Sequence, residues 1–436
     1  MASPLRSRGS AIDNRPMFLE SGENSSDSAA TELAEPRSDV EFILRIALTT
    51  SLVAMSIDTM LPALGAMAKE LGAAHANDRQ LILSAFFAGL STGQLVYGPV
   101  SDSTGRKPAL YSGIFLFIVG GLVCALTQSF SWLLLGRALS GFGAAAPQIV
   151  CVALVRDTHS GRTMARVMSF VQTVFILVPV LAPSIGQAAL AVTTWRAIFA
   201  ALVVIASALS LWFALRQPET LPRAARIPFS PRTILRNAGE VFRTRITLGY
   251  MFASGFVFSG FIGYVSVSQQ LFQEQYGLGR LFPLYFGLLA SAIGVASFLN
   301  GKLVMRFGVR RLSRTALLCN CVLSVAMLLA CFVLGGHPPL ALFLGYMLIC
   351  FFCNGLLFGN YSARAMEPMG HIAGVAAAVT GSVSGLIALA LGTPFGRAYD
   401  GTVFSVVGGF TAAALLSLVT TELAEAGVNA STLPAE

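Results

Sequence analysis

About twelve runs of some twenty mostly apolar residues follow one another along this chain, and that succession limits the fold more than any other feature. Their approximate cores are 43–66, 80–100, 109–128, 132–154, 167–191, 195–215, 246–271, 281–301, 312–335, 340–361, 371–394 and 402–421. At about 1.5 Å of rise per residue, a helix of roughly twenty residues crosses a hydrocarbon layer about 30 Å thick. The pattern predicts an all-α membrane protein with twelve transmembrane helices. Composition agrees: 55% of the 436 residues are hydrophobic and 11% are charged. A water-soluble domain carries about a quarter charged residues. So few charges cannot cover a surface facing water, and lipid is the expected solvent for most of the chain.

The segment 216–245 divides six runs from six. It holds Pro218, Pro222, Pro228, Pro231 and seven arginines, and reads as a linker. The expected organisation is a disordered tail over 1–40, a six-helix bundle over 41–215, the linker over 216–245, a second six-helix bundle over 246–422 and a tail over 423–436. Residues 1–40 are polar, and no cleavable signal peptide is visible in them.

Basic residues in loops set the orientation. With the N-terminus inside, the inner segments hold Arg45, Arg106, Lys107, Arg156, Arg162, Arg166, the linker arginines, Lys302, Arg306, Arg310, Arg311, Arg314 and Arg364. The outer loops hold Lys69, Arg79, Arg196, Arg280 and Arg397. Both termini and the linker are therefore expected in the cytoplasm. The net charge of +8 is strung along short loops rather than gathered on one domain, which argues against nucleic acid as a partner.

The seven cysteines all sit in apolar runs and read as small packing residues; the four histidines are far apart, and no metal constellation appears. No nucleotide-binding loop is present, so ATP drive is not expected, nor is any cofactor.

The halves resemble each other. Gly98-Pro-Val-Ser-Asp102-Ser-Thr-Gly105-Arg106-Lys107 follows the second run, and Gly301-Lys-Leu-Val-Met305-Arg306-Phe-Gly308-Val-Arg310-Arg311 follows the eighth. Parallel six-helix repeats about an axis along the membrane normal are a transporter plan, so two pseudosymmetric six-helix bundles are expected.

Asp58 and Arg137 are the ionisable residues well inside runs. Counting rise along the first and fourth runs puts both about 22 Å above the inner face of a core about 30 Å thick. A charge at such depth costs at least about 2.5 kcal/mol, so these residues are expected to pair or to line a wet cavity. Burial favours a protonated acid and a nearby arginine an ionised one, so separating the two would move a proton. A salt bridge that only fixes helix packing is the plainer alternative.

The loop Gly98, Asp102, Gly105, Arg106, Lys107 resembles the signature loop of the major facilitator superfamily, with Ser103 where a basic residue is usual. In that family it steadies the outward-open state. Asp102 is expected to cap the next helix or to pair with a neighbouring arginine. The stretch Leu133-Leu-Leu-Gly-Arg137-Ala-Leu-Ser140-Gly141-Phe-Gly143 is similar to the family's fourth-helix motif. Ala182-Pro183-Ser-Ile-Gly186 resembles its antiporter motif, and Asp58-Thr-Met-Leu-Pro62 the first-helix motif of twelve-span drug/proton antiporters of the bicyclomycin/chloramphenicol-resistance (Bcr/CflA) branch. Pro179 and Pro183 are expected to kink the fifth helix.

The resemblance implies the major facilitator fold, a monomer in a bacterial inner membrane, and proton-coupled export of small amphipathic molecules by alternating access. Asp58 and Arg137 are the expected proton-coupling residues. Gly98, Asp102, Gly105, Arg106, Lys107, Pro183 and Gly186 are the expected conformational elements. Gln148, Gln172, Tyr264, Gln269, Asn354, Phe258 and Phe261 are the expected substrate contacts, because polar anchors among aromatics suit amphipathic ligands. The alternative is a proton symporter or facilitator importing a polar solute. An intramembrane enzyme would need a catalytic constellation, and none is present.

Overall fold

The computed structural model describes residues 35–426, and every regular element among them is helical. Helix α1 (Glu35–Asp58) comes first. Pro62 has no N–H to donate to the Asp58 carbonyl one turn earlier, and its ring crowds that carbonyl. Helix α1 therefore stops at Asp58 instead of running through the predicted 43–66. A 3-10 turn (Leu61–Ala63) and a short helix α2 (Leu64–Glu70) carry the chain onward. Then come α3 (Leu81–Thr104), α4 (Arg106–Leu126), α5 (Phe130–Thr158), α6 (Gly161–Val192) and α7 (Trp195–Arg216). Helix α6 continues through Pro179 and Pro183. Those prolines leave the carbonyls of Phe175 and Pro179 without a donor one turn on.

The predicted linker contains a helix, α8 (Pro231–Arg243). After it come α9 (Arg245–Gln269), α10 (Phe282–Phe307), α11 (Val309–Val333), α12 (Leu340–Met366), α13 (Ala373–Arg397) and α14 (Phe404–Glu425). Helix α9 ends in a π-helical turn, Gln270–Gln275. Of the expected tails, 1–34 and 427–436 lie outside the described residues. Residues 35–40 belong to α1, and 423–425 to α14.

Eleven helical stretches among the described residues are long and apolar enough to cross a membrane. One of them, Leu340–Arg397, has 58 residues. It comprises α12 and α13, joined by a 3-10 turn (Glu367–Ile372) in which Met369 leaves helical geometry at φ −106°, ψ 15°.

Among the described residues, those up to Phe42 and those from Ile43 onward form separate units, and the packing described here lies within the second. Before α8, α5 packs against α3 and α4, and α4 against α7. After it, α9 packs against α12, α13 and α14, α10 against α12, and α11 against α12 and α14. The main seams between the sets are α3 with α13, and α6 with α10.

The repeated loops adopt one geometry. Gly105 ends α3 at φ 111°, ψ 163°, and Gly308 ends α10 at φ 75°, ψ 152°. Both lie in the region where a Cβ is strained, so a side chain at either would resist the turn into the next helix.

Candidate functional site

Asp58 is the last residue of α1 and is buried. The helix break places it at a backbone turn rather than inside a continuous helix. Helix α6 touches that turn closely: a Cβ on Gly186 would lie 1.8 Å from the Thr59 carbonyl oxygen. The glycine of the expected antiporter motif is thus the residue that lets α6 meet the turn beside Asp58.

Three acidic side chains are buried among the described residues: Asp58, Asp78 and Glu425. Asp78 meets Arg397 at 3.0 Å, and Glu425 meets Arg364 at 3.0 Å. Asp58 has no ion-pair partner among the described residues. Arg137, fully buried on α5, spends its donors elsewhere. Its Nη1 donates to Ser56 Oγ (2.9 Å) and its Nη2 to the Ser56 carbonyl (3.2 Å). Its guanidinium lies 4.3 Å from the Phe86 ring centroid and 5.7 Å from that of Phe199. The arginine thus binds α1 two residues before the acid, and not the acid itself.

Tyr264 of α9 is buried, and its hydroxyl has no hydrogen-bond partner among the described residues. Its ring contacts Phe351 edge-on at 5.0 Å and stacks on Phe286 at 6.0 Å. Phe261 meets Phe351 at 5.9 Å, and Phe258 stacks on Phe261 at 5.7 Å. Phe87 of α3 then meets Phe258 at 6.0 Å, extending this aromatic series across the two helix sets. The other expected contacts are dispersed. Gln148 accepts from Gln94 Nε2 at 3.0 Å, and Gln172 is exposed on α6. Asn354 accepts from Asn320 at 2.9 Å in the buried seam between α11 and α12. Sequence reasoning missed Gln94 and Phe87; a glutamine in the middle of the run 80–100 was the available signal.

Gln269 belongs to a polar network between the two helix sets. Arg79 donates to Gln269 (3.1 Å) and to both Glu274 oxygens (2.7 and 3.0 Å). Gln80 donates to Gln270, which donates to Asn77, and Asn77 donates to the carbonyls of Arg397 and Tyr399. Gln273 donates to Gln187, and Ser84 bonds to Thr393. The π-turn after α9 supplies Gln270, Gln273 and Glu274. Among the described residues, every side-chain hydrogen bond from 43–215 to 246–425 lies at this end.

At the opposite end, Arg106 pairs with Asp102 (2.6 Å) and Asp157 (2.7 Å). Ser103 bonds back to the Val100 carbonyl. The start of α4 is capped by Glu219, which accepts from the backbone N–H groups of Arg106 (2.9 Å) and Lys107 (3.0 Å). Burial pushes the Glu219 carboxyl up, but three backbone donors and Arg226 pull it down further, below the ordinary glutamate value of 4.5. A depressed acid stabilises the fold fully above the unfolded value and loses that contribution as pH falls through the folded one. Glu219→Gln is therefore expected to cost about 0.5–1 kcal/mol at neutral pH, modest because the group is partly exposed. The gap between the two proteins' thermal unfolding curves in detergent should close as the pH is taken below 4.5.

The profile of the Major Facilitator Superfamily matches residues 46–393. The chain belongs to the major facilitator superfamily. It is a multi-pass membrane transporter of small molecules, not an enzyme. It is 36% identical over 330 residues to the uncharacterized MFS-type transporter YdgK of Bacillus subtilis, covering 75% of this chain and 81% of that protein. It is 30% identical over 364 residues to the bicyclomycin resistance protein homolog of Haemophilus influenzae, covering 82% and 89%. Its fold is similar to that of the xylose transporter XylE from E. coli in a partially occluded inward-open conformation. That likeness has a TM-score of 0.67 at 12% identity and covers 90% of this chain and 98% of that one.

Proposed function

We propose that this major facilitator superfamily protein is a secondary antiporter that exports small amphipathic molecules in exchange for protons, with Asp58 carrying the proton. The isolation of Asp58 carries the reading. Among the described residues it is buried at a helix break without a cation, while the other two buried acids have arginines. Ionisation of an unpaired buried carboxyl is costly, so in this conformation the acid holds its proton. In the alternate conformation it turns toward Arg137 and releases it, and Arg137 exchanges Ser56 for the carboxylate. The similarity to a bicyclomycin resistance protein homolog supports export of drug-like molecules.

The membrane arrangement is twelve spans in two six-helix bundles. A single helix over the 58 residues of Leu340–Arg397 would be about 87 Å long, far more than one crossing needs. The break at Met369 lets α12 and α13 cross separately. The basic residues favour placing the termini, the linker and the Asp102 loop in the cytoplasm of a bacterial inner membrane. The hydrogen-bonded end at Asp78 then closes the outer side, and opening it requires α3 and α13, and α6 and α10, to move apart there. The transporter works as a monomer.

Substrate binds between the bundles against Phe87, Phe258, Phe261 and Tyr264, with Gln94 and Gln148 as polar anchors. An unpartnered buried hydroxyl costs about 1–3 kcal/mol. Tyr264 keeps one, which fits a group that bonds to a ligand. Tyr264→Phe is expected to leave thermal stability unchanged or slightly higher. It should weaken substrate binding about tenfold, the equivalent of one lost hydrogen bond, as read by isothermal titration in detergent.

The decisive experiment is a drug-susceptibility panel that includes bicyclomycin, in an efflux-deficient strain carrying the gene or an empty vector. Protection against at least one compound, with lowered cellular accumulation, supports export. Raised accumulation of a polar solute driven by the proton gradient would favour the importer instead.

A further inference from the structure

We infer that α8 is a membrane-surface helix that binds anionic phospholipid headgroups through Arg232, Arg236 and Arg243. The helix starts where Ser230 Oγ accepts from the Thr233 N–H, with Pro231 in its first turn. Its residues advance about 100° each around the axis. Val241 faces inward and is fully buried against Met251, Met369, Ala376 and Val379, with Ala238 beside it. Glu240 meets His371 at 2.7 Å and continues the attached side. Roughly 100° round from Val241 lie Leu235 and Phe242, seven residues apart and so nearly superimposed. They are 72% and 46% exposed. The exposed side chains of Arg232, Arg236 and Arg243 occupy the adjacent stripe, with Glu240 bordering it on the attached side.

An aqueous environment gives no reason to hold Leu235 and Phe242 outward. A bilayer boundary does: the apolar stripe enters the acyl region while the adjoining arginines stay at phosphate depth. The position fits, because Thr244 alone separates α8 from α9, a helix long and apolar enough to span. Upstream, Ile227 and Phe229 are also exposed, at 65% and 56%. Charge selects the lipid. The segment 216–245 carries seven arginines and two glutamates. Both glutamates are engaged within the protein, Glu219 at the start of α4 and Glu240 with His371. The cationic stripe is left for phosphates, and the attraction to an anionic leaflet falls within a Debye length and with salt.

This linker also touches both helix sets. The Ile227 N–H donates to the Asp102 carbonyl at 3.0 Å, and Val241 is seated on α9 and α13. Lipid held by α8 therefore fixes the linker between the Asp102 loop and the start of α9.

The test is hydrogen–deuterium exchange of the full chain in nanodiscs of phosphatidylcholine alone or mixed with phosphatidylglycerol. Amides of 232–243 are expected to exchange several-fold more slowly in the anionic discs, with the difference shrinking as salt is raised. Arg232→Gln/Arg236→Gln/Arg243→Gln should erase the difference between discs, and Leu235→Ser/Phe242→Ser the protection in both. Equal exchange of the parent protein in the two discs overturns the proposal. So does protection that ignores salt, or a Leu235→Cys protein that cross-links to a second copy at that residue. The inference rests on the membrane placement of the spans proposed above. Both faces of a nanodisc carry the same lipid, so the result does not depend on which side the linker occupies. Labelling Leu235→Cys in intact cells tests sidedness separately.

Discussion

Purified Asp58→Asn protein in liposomes is expected to show no substrate uptake driven by a pH gradient, with the signal falling to that of protein-free vesicles. Downhill exchange of labelled for unlabelled substrate should survive. Asparagine keeps the shape and polarity of the buried group but cannot release a proton, so only the coupling is removed. The fold should tolerate the change. Among the described residues Asp58 has no ion-pair partner whose charge would be left exposed, and a neutral amide costs at most about 1–3 kcal/mol if it remains unbonded. The contrast with Arg137 is sharp: Arg137→Ala would strip both donors from Ser56 and empty the space between Phe86 and Phe199. Its effect on folding would mask any effect on coupling. If Asp58→Asn still drives full substrate–proton exchange, the proton travels elsewhere and the antiport reading fails at its central residue.

Much of this arrangement was legible in the sequence because it follows from position along one helix or one loop. The apolar runs locate the helices, and the matched Gly105 and Gly308 turns follow from a local backbone need. The break at Asp58 was also available, since Pro62 stands four residues after it and removes the donor for its carbonyl. What rise alone does not give is rotation. Asp58 and Arg137 were expected at one depth, but the arginine faces Ser56. Partners distant in the chain were hidden for a related reason. Nothing in the run that holds Gln269 indicates that Arg79 will engage it, or that Glu219, more than a hundred residues on, will cap α4 in place of Asp102. Helix α8 is hidden because its prolines and arginines read as a linker, although its apolar residues recur at helical spacing.

Gly186→Val is expected to abolish transport, and Gly186→Ala to impair it. A Cβ at this position would stand 1.8 Å from the Thr59 carbonyl oxygen and 2.8 Å from its carbon, both backbone atoms that no rotamer change can move. Either α6 retreats or the turn after Asp58 shifts. The turn is poorly placed to yield, because the Thr59 N–H holds the Met55 carbonyl at 3.2 Å and Pro62 fixes the backbone three residues on. Overpacking of this kind costs about 1–3 kcal/mol, so Gly186→Ala should also unfold at lower temperature in detergent. A matched control separates this contact from a general effect of alanine on helices. Among the described residues, Gly301 has no neighbouring atom within 4 Å of the site a Cβ would take, and alanine is favoured over glycine inside a helix by up to about 1 kcal/mol. Gly301→Ala should therefore transport normally and unfold no earlier than the parent. If Gly186→Ala matches that control in both transport rate and unfolding temperature, the approach of α6 to the Asp58 turn is not what the glycine serves.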